Sequence, residues 1–308
     1  METKAARPSR RAVLAVGAGA SLAAAMSFGA SGTAFAASRT DTAVRRLRAL
    51  EAERGARLGV FAHDTGSRAT IRYRAGELFP MCSTFKTIAV AAVLRDLDRD
   101  GGFLAKRLHY TEQYAKASGW YPETGKPHNL ANGMTVGELC DAAITQSDNA
   151  AANLLLQELG GPDAITRFCE SIGDRTTNLT RIEPYLNSAE PDRKTDTTTP
   201  EAIGSTYERL VLGDALDCAD QKRLEGWLLA NTTNKDTFRA GLPEGWQIAD
   251  KTGSGSYGTR NDVGIVRPPR RKPIVLSVLS TKPQKGEKEK GDDQLVADAA
   301  AIVADAFA

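Results

Sequence analysis

The sequence predicts an α/β fold: an antiparallel sheet built from both chain ends, with flanking helices and an inserted all-α domain. Three observations carry this. Strand-like segments lie near the start at Leu58–Ala62 and Thr70–Tyr73. They return near the end at Trp246–Ala249, Asp262–Val266 and Ile274–Leu279. Between them, from about residue 83, the apolar spacing is helical for most of the chain.

The elements follow in order. Val44, Leu47 and Leu50 share one face of a helix over 41–54. Asp64-Thr-Gly-Ser supplies hairpin turn chemistry between the first two strands. Thr135-Val-Gly-Glu138 is a capping box opening a helix with Leu139 and Ile144. Thr199-Pro200 is an N-cap followed by proline at the first helical position. A last helix covers about 293–307. The expected domains are 38–74 with 239–308 as the α/β part, and 75–238 as the all-α part. At 308 residues, 41% hydrophobic and 25% charged, the chain can bury a sizeable core.

Residues 1–37 have the layout of an export signal. Ser9-Arg10-Arg11 precedes the weakly apolar stretch Ala12–Ala30, and Ala34-Phe35-Ala36 offers a small-x-small cleavage pattern. The paired arginines suggest the twin-arginine route, with an ordinary secretory signal as the alternative. After processing, no stable membrane insertion is expected, and the product is secreted or periplasmic. Lys4, Arg7, Arg10 and Arg11 against Glu2 take a surplus of three charges from a total of +2. The remainder is about neutral, so no basic field points to nucleic acid. The three histidines are scattered, and no C-x-x-C pattern marks a zinc site, so no metal or other cofactor is expected. Cys82, Cys140, Cys169 and Cys218 could be free thiols, or could pair in three ways.

Four short motifs carry chemistry. In Ser83-Thr-Phe-Lys86, a serine opens a strong helix with a lysine three residues on, beside it on one face. A serine hydroxyl becomes a nucleophile when a base adjoins it, and a desolvated lysine can be that base. Such a pair is expected about once by chance in a chain of this length, and a capping serine with a surface lysine is the plain alternative. Ser147-Asp148-Asn149 offers a hydroxyl to relay a proton and an amide for a carbonyl; alternatively, Ser147 only caps the next helix. Lys251-Thr252-Gly253-Ser254-Gly255 closes the strand Trp246–Asp250, giving positive charge and small residues where a substrate could lie along the backbone. Arg181-Ile-Glu183-Pro184-Tyr-Leu-Asn187 begins a loop that runs to about residue 196.

Each motif alone is weak, but the four occur once each and in order. Over 41–308 the sequence resembles the class A serine β-lactamases. The resemblance implies catalytic roles for Ser83, Lys86, Ser147 and Glu183. It implies substrate-binding roles for Asn149, Asn187, Lys251, Thr252, Ser254 and Arg260. It also implies a monomer acting on small β-lactams, an Ω-shaped loop at 181–196 closed by Arg181 and Asp196, and a cis Glu183–Pro184 bond. Arg239 and Asp250 fall on a structural ion pair of the family, and Trp246 on a core tryptophan. Whether Lys86 or Glu183 removes the Ser83 proton stays open, as does whether Trp120 or Tyr121 walls the entrance. The cysteines that would bridge Cys82 and Cys140 in some members are absent; Gly255 and Val90 stand there. A DD-peptidase would share the acylation but lack the deacylating carboxylate. A sensor domain would stay acylated. A serine esterase of the hydrolase fold would need a G-x-S-x-G elbow, which is absent. If the signal is of the twin-arginine type, replacing Arg10 and Arg11 by lysine leaves the precursor in the cytoplasm. Normal export of that variant in a fractionation experiment contradicts it.

Overall fold

In the computed structural model, the backbone is described from residue 26 and side chains from residue 39. The arginine pair and most of the apolar stretch lie outside the described residues. Helix α1 (Met26–Arg54) leads into β1 (Arg57–Asp64) and β2 (Thr70–Tyr73). After β3 (Phe79–Pro80) come α2 (Phe85–Ala92), β4 (Arg107–Leu108), α3 (Glu112–Ala117), α4 (Pro127–Asn132), β5 (Met134–Thr135), α5 (Val136–Thr145), α6 (Asn149–Glu158) and α7 (Asp163–Ser171). Then follow β6 (Thr197–Thr198), α8 (Pro200–Val211), α9 (Cys218–Leu229) and α10 (Phe238–Gly241). The chain closes with β7 (Gln247–Gly255), β8 (Thr259–Arg267), β9 (Ile274–Thr281) and α11 (Asp293–Phe307).

The five long strands form one antiparallel sheet in the order β2-β1-β9-β8-β7. The two chain ends meet in it, since β1 pairs with β9 along its whole length. Side-chain alternation divides the sheet between two cores. Val60, Leu276 and Val278 pack with Leu47 of α1 and Val303 of α11. Phe61, Val263, Ile265 and Val275 face the other way, joining α2, α5, α6 and α8 through Ile88, Leu139, Leu155 and Tyr207. Thr40–Ala308 is one compact unit.

The capping readings hold. Thr135 Oγ1 accepts from Glu138 N at 3.2 Å while Glu138 accepts from Thr135 N at 2.6 Å. Thr199 Oγ1 accepts from Ala202 N at 3.1 Å, with Pro200 opening α8. Ser147 does not cap α6; Asp148 does, because its carboxylate reaches Ala151 N at 2.9 Å. Strand β7 does not end before Lys251 but runs on to Gly255 as the sheet edge, because β8 keeps pairing with it as far as Thr259. Trp246 is half-buried against the core that holds Leu47 and Val60 rather than enclosed by it.

Gly59 of β1 shows how closely the sheet meets its helical cover. A Cβ there would stand 2.5 Å from Phe79 Cε2 and 2.7 Å from Pro200 Cγ. Gly59→Ala should therefore cost about 1–3 kcal/mol through overpacking. Chemical denaturation tests this, and an unchanged midpoint contradicts the packing described.

Candidate active site

The site forms where α2, the turn before α6, the 181–196 loop and β7 converge. Ser83 lies in a 3₁₀ turn (Cys82–Thr84) that runs into α2, so its place at a helix start is kept. One turn on, Lys86 is completely buried, as is the Glu183 side chain. Ser83 Oγ donates to Glu183 Oε1 at 3.1 Å, and Lys86 Nζ is 3.1 Å from the same oxygen. Lys86 also donates to Asn149 Oδ1 at 2.6 Å, to the Ser147 carbonyl at 2.8 Å and to Ser147 Oγ at 3.3 Å. Asn187 Nδ2 donates to the second Glu183 oxygen. One lysine thus joins three of the four motifs.

Local chain geometry explains these placements. Ser147 has φ of 56°, a strained left-handed conformation for a non-glycine residue. The Asp148 carboxylate holds that turn, accepting from Ala151 N, Glu123 N and Thr124 N at 2.9–3.0 Å. The Glu183–Pro184 peptide is cis. Asn153 grips Glu183 by its backbone: the Asn153 amide accepts from Glu183 N and donates to Glu183 O, both at 2.9 Å. Asp196 closes the loop base, accepting from Thr180 N at 2.8 Å, Arg181 N at 3.0 Å and Arg181 Nε at 2.6 Å. Its carbonyl accepts from Met81 N at 3.0 Å, tying the loop to the segment before Ser83.

Strand β7 lies against the Ser83 turn because Gly253 has no side chain. A Cβ there would meet the Met81 carbonyl at 3.1 Å and Ser83 N at 3.3 Å. Lys251 is fully buried and donates to the Thr252 carbonyl at 3.0 Å. The Thr252 and Thr233 hydroxyls are hydrogen-bonded to each other. Arg260 Nη1 donates to Ser254 Oγ at 2.6 Å, and its Nε faces the Asp293 carboxylate at the start of α11. All ten sequence-predicted site residues therefore fall in this one region. Trp120 stands exposed beside it, with Nε1 donating to Gln146 O at 3.0 Å and its carbonyl accepting from Asn149 N at 2.7 Å. The Tyr121 ring instead lies against Gly125.

Two expectations change or sharpen, and one residue of the site is new. Arg239 does not pair with Asp250: its Nε donates to Asn234 Oδ1 at 3.3 Å, and the Asn234 amide donates to Asp250 at 2.7 Å. An asparagine lies between them, so the pair is bridged. All four cysteines are free, three of them buried. Asn153 was not anticipated, although it sits one turn after Asn149 on the same helix face, a spacing that could have marked it.

The comparisons with known proteins fit this geometry. Residues 42–307 match the family model described as "Beta-lactamase enzyme family". A β-lactamase of Streptomyces lavendulae is 62% identical over 308 residues, covering 100% of both chains. The chain belongs to the class A β-lactamases. The β-lactamase of Kitasatospora aureofaciens is 60% identical over 306 residues, 97% of each chain. The solved β-lactamase structure from Streptomyces albus G superposes with a TM-score of 0.84 at 61% identity, covering 86% of this chain and 98% of that one. A solved mutant of the class A β-lactamase of the last common ancestor of Gram-negative bacteria gives 0.81 at 45% identity, covering 86% and 98%. This β-lactamase is thus a hydrolase of the antibiotic-resistance type. Among the described residues, no helix is long and apolar enough to cross a membrane.

Two buried lysines set its electrostatics. Burial pushes Lys86 down, and the Glu183 charge pulls it back up. Burial pulls Lys251 down to about 7, and the Lys86 charge adds to this. Lys251 is accordingly protonated below neutral pH and loses its charge as the pH rises through 7. An NMR titration of the lysine signal missing from Lys251→Arg should give a midpoint near 7. A midpoint near the ordinary 10.5 contradicts the burial described.

Proposed function

We propose that the enzyme is exported by the twin-arginine route and hydrolyses penicillins and related β-lactams through an acyl-enzyme on Ser83. The contact of Ser83 Oγ with the buried Glu183 carboxylate, itself paired with Lys86, carries this reading. Glu183 is within reach of the Ser83 proton, whereas Lys86 directs its donors to Ser147, Asn149 and Glu183. That arrangement favours Glu183 as the acylation base, with Lys86 charged and holding it.

In acylation the Ser83 oxygen attacks the lactam carbonyl and Glu183 takes the hydroxyl proton. The backbone N–H groups of Ser83 and Ser254 hold the oxyanion, worth a few kcal/mol. The lactam C–N bond breaks, the nitrogen takes a proton from the Ser147 hydroxyl, and the proton held by Glu183 passes through Lys86, 3.3 Å from Ser147 Oγ, to restore that hydroxyl and leave Glu183 ionised again. Asn149 binds the substrate amide carbonyl. Lys251, Thr252 and Arg260 bind its carboxylate, and Trp120 walls the entrance. In deacylation Glu183, with Asn187, orients a water and takes its proton. The ester bond breaks and Ser83 regains its hydrogen, so one water is consumed per β-lactam. The domain reading supports this picture: 75–238 supplies Ser83, Lys86, Ser147, Asn149, Glu183 and Asn187, and 239–308 supplies the β7 edge and Arg260.

A DD-peptidase reading lacks a use for Glu183 and Asn187. Glu183→Gln separates the two. Glutamine keeps the size but accepts no proton, and a positioned base contributes about 10²–10⁴-fold. Intact-protein mass spectrometry after prolonged penicillin treatment should show an adduct on Ser83 that forms more slowly than in the parent enzyme and then persists, whereas the parent enzyme clears it. Turnover close to the parent's would contradict the role of Glu183, and an adduct on another serine that of Ser83.

A further inference from the structure

Two acidic side chains lie behind the β7 edge without a role in the chemistry above. Asp250 precedes Lys251, and Asp262 is the register partner of Thr252 on β8. The register pairs Asp250 with Gly264, so the two aspartates are diagonal neighbours on one face of the sheet. Both are wholly buried. Each carboxyl is satisfied at only one oxygen. Asp250 Oδ1 accepts from Asn231 Nδ2 at 3.0 Å and Asn234 Nδ2 at 2.7 Å. Asp262 Oδ2 accepts from Thr237 Oγ1 at 2.6 Å and Phe238 N at 3.2 Å. Asp250 Oδ2 and Asp262 Oδ1 have no donor.

The cations packed around them are committed elsewhere. Arg239 donates to Asn234, Arg260 to Ser254 with its Nε facing Asp293, and Lys251 to the Thr252 carbonyl. Two adjacent carboxylates in such a place would both be buried and unpaired, which is among the costliest arrangements in a protein. One proton removes the problem, because it turns one orphan oxygen into a donor and gives the other its partner.

We propose that Asp250 and Asp262 share one proton at neutral pH, forming a unit of single negative charge that fixes the β7–β8 register behind Lys251 and sets the charge state of Lys251. The aspartates are then positioning residues of the hydrolysis. Burial pushes both carboxyls up, Asp250 well above the usual carboxylate range with Asp262 adding to it. Their charge is what opposes the downward pull on Lys251 from burial, Lys86 and Arg260. The link to hydrolysis rests on Lys251 meeting the substrate carboxylate; the shared proton does not.

Two measurements on the full chain test the two parts separately. Carbon-13 NMR of enzyme labelled at the aspartate carboxyls should show one group that stays protonated between about pH 5 and 8, as expected for a carboxyl pair that titrates jointly. Its signal should vanish in Asp250→Asn. Finding every aspartate ionised across that range overturns the pair.

The second measurement is the pH profile of kcat/KM on a carboxylate-bearing β-lactam. Asp250→Asn keeps one negative charge and gives Asp262 an amide donor, so the alkaline limb should stay in place. The double Asn variant removes the charge and should lower that limb by about one pH unit, at the small end for a neighbouring charge. An alkaline limb already lowered in Asp250→Asn means two charges at neutral pH and overturns the proposal. An unmoved limb in the double variant overturns the link to Lys251. If Asp250→Asn does not fold, Asp262→Asn makes the same comparison, because it too leaves one negative charge. Normal penicillin turnover in a Ser83→Ala variant would refute the acyl-enzyme reading while leaving the NMR result standing.

Discussion

The Lys86–Glu183 pair is the constraint on which the rest depends. Both side chains are excluded from solvent. Moving two such charges out of water costs several kcal/mol each, and the attraction between them offsets this only when the remaining donors and acceptors are also filled. The surroundings meet that condition. Ser147 and Asn149 fill the lysine, while Ser83 and Asn187 fill the carboxylate. The groups that satisfy the pair are the same ones proposed for catalysis, so on that proposal the stability of the centre and its reactivity have one source.

Much of the remaining architecture delivers Glu183 to Lys86. The 181–196 loop contains little regular structure, and it is held at its two ends and its middle. Asp196 ties the base to Thr180, Arg181 and Met81, and Asn153 grips the Glu183 backbone. The Asn187 carbonyl accepts from Ser256 N at 2.9 Å, joining the loop to the chain just after β7. A carboxylate on so irregular a segment is positioned because its neighbours leave the backbone few alternatives.

The sheet of both chain ends, the helical insertion, the capped helices and the gathering of ten candidate site residues in one region were legible in the sequence, for different reasons. Alternating and helical spacings report burial directly, as Phe61 and Leu47 show. The site was legible because its residues come in short motifs that resemble a known family. Longer-range satisfaction of polar groups was not legible. Asp148 rather than Ser147 caps α6, since the cap depends on which side chain the strained turn aims at Ala151. Asn234 stands between Arg239 and Asp250, and no local spacing reveals a bridge of that kind. The Asp250–Asp262 juxtaposition depends on strand register, which a single sequence leaves free.

The central claim is that the buried ion pair holds the loop as well as the chemistry. Hydrogen exchange on Lys86→Ala tests it most directly. Removing the lysine leaves Glu183 buried and unpaired, a loss of about 3–5 kcal/mol for a broken buried pair. The account predicts that amides such as Thr180, Arg181 and Glu183 exchange at least about tenfold faster, a change of roughly 1.4 kcal/mol or more. The β1–β9 ladder should keep its protection. Exchange in 181–196 unchanged from the parent enzyme would contradict it.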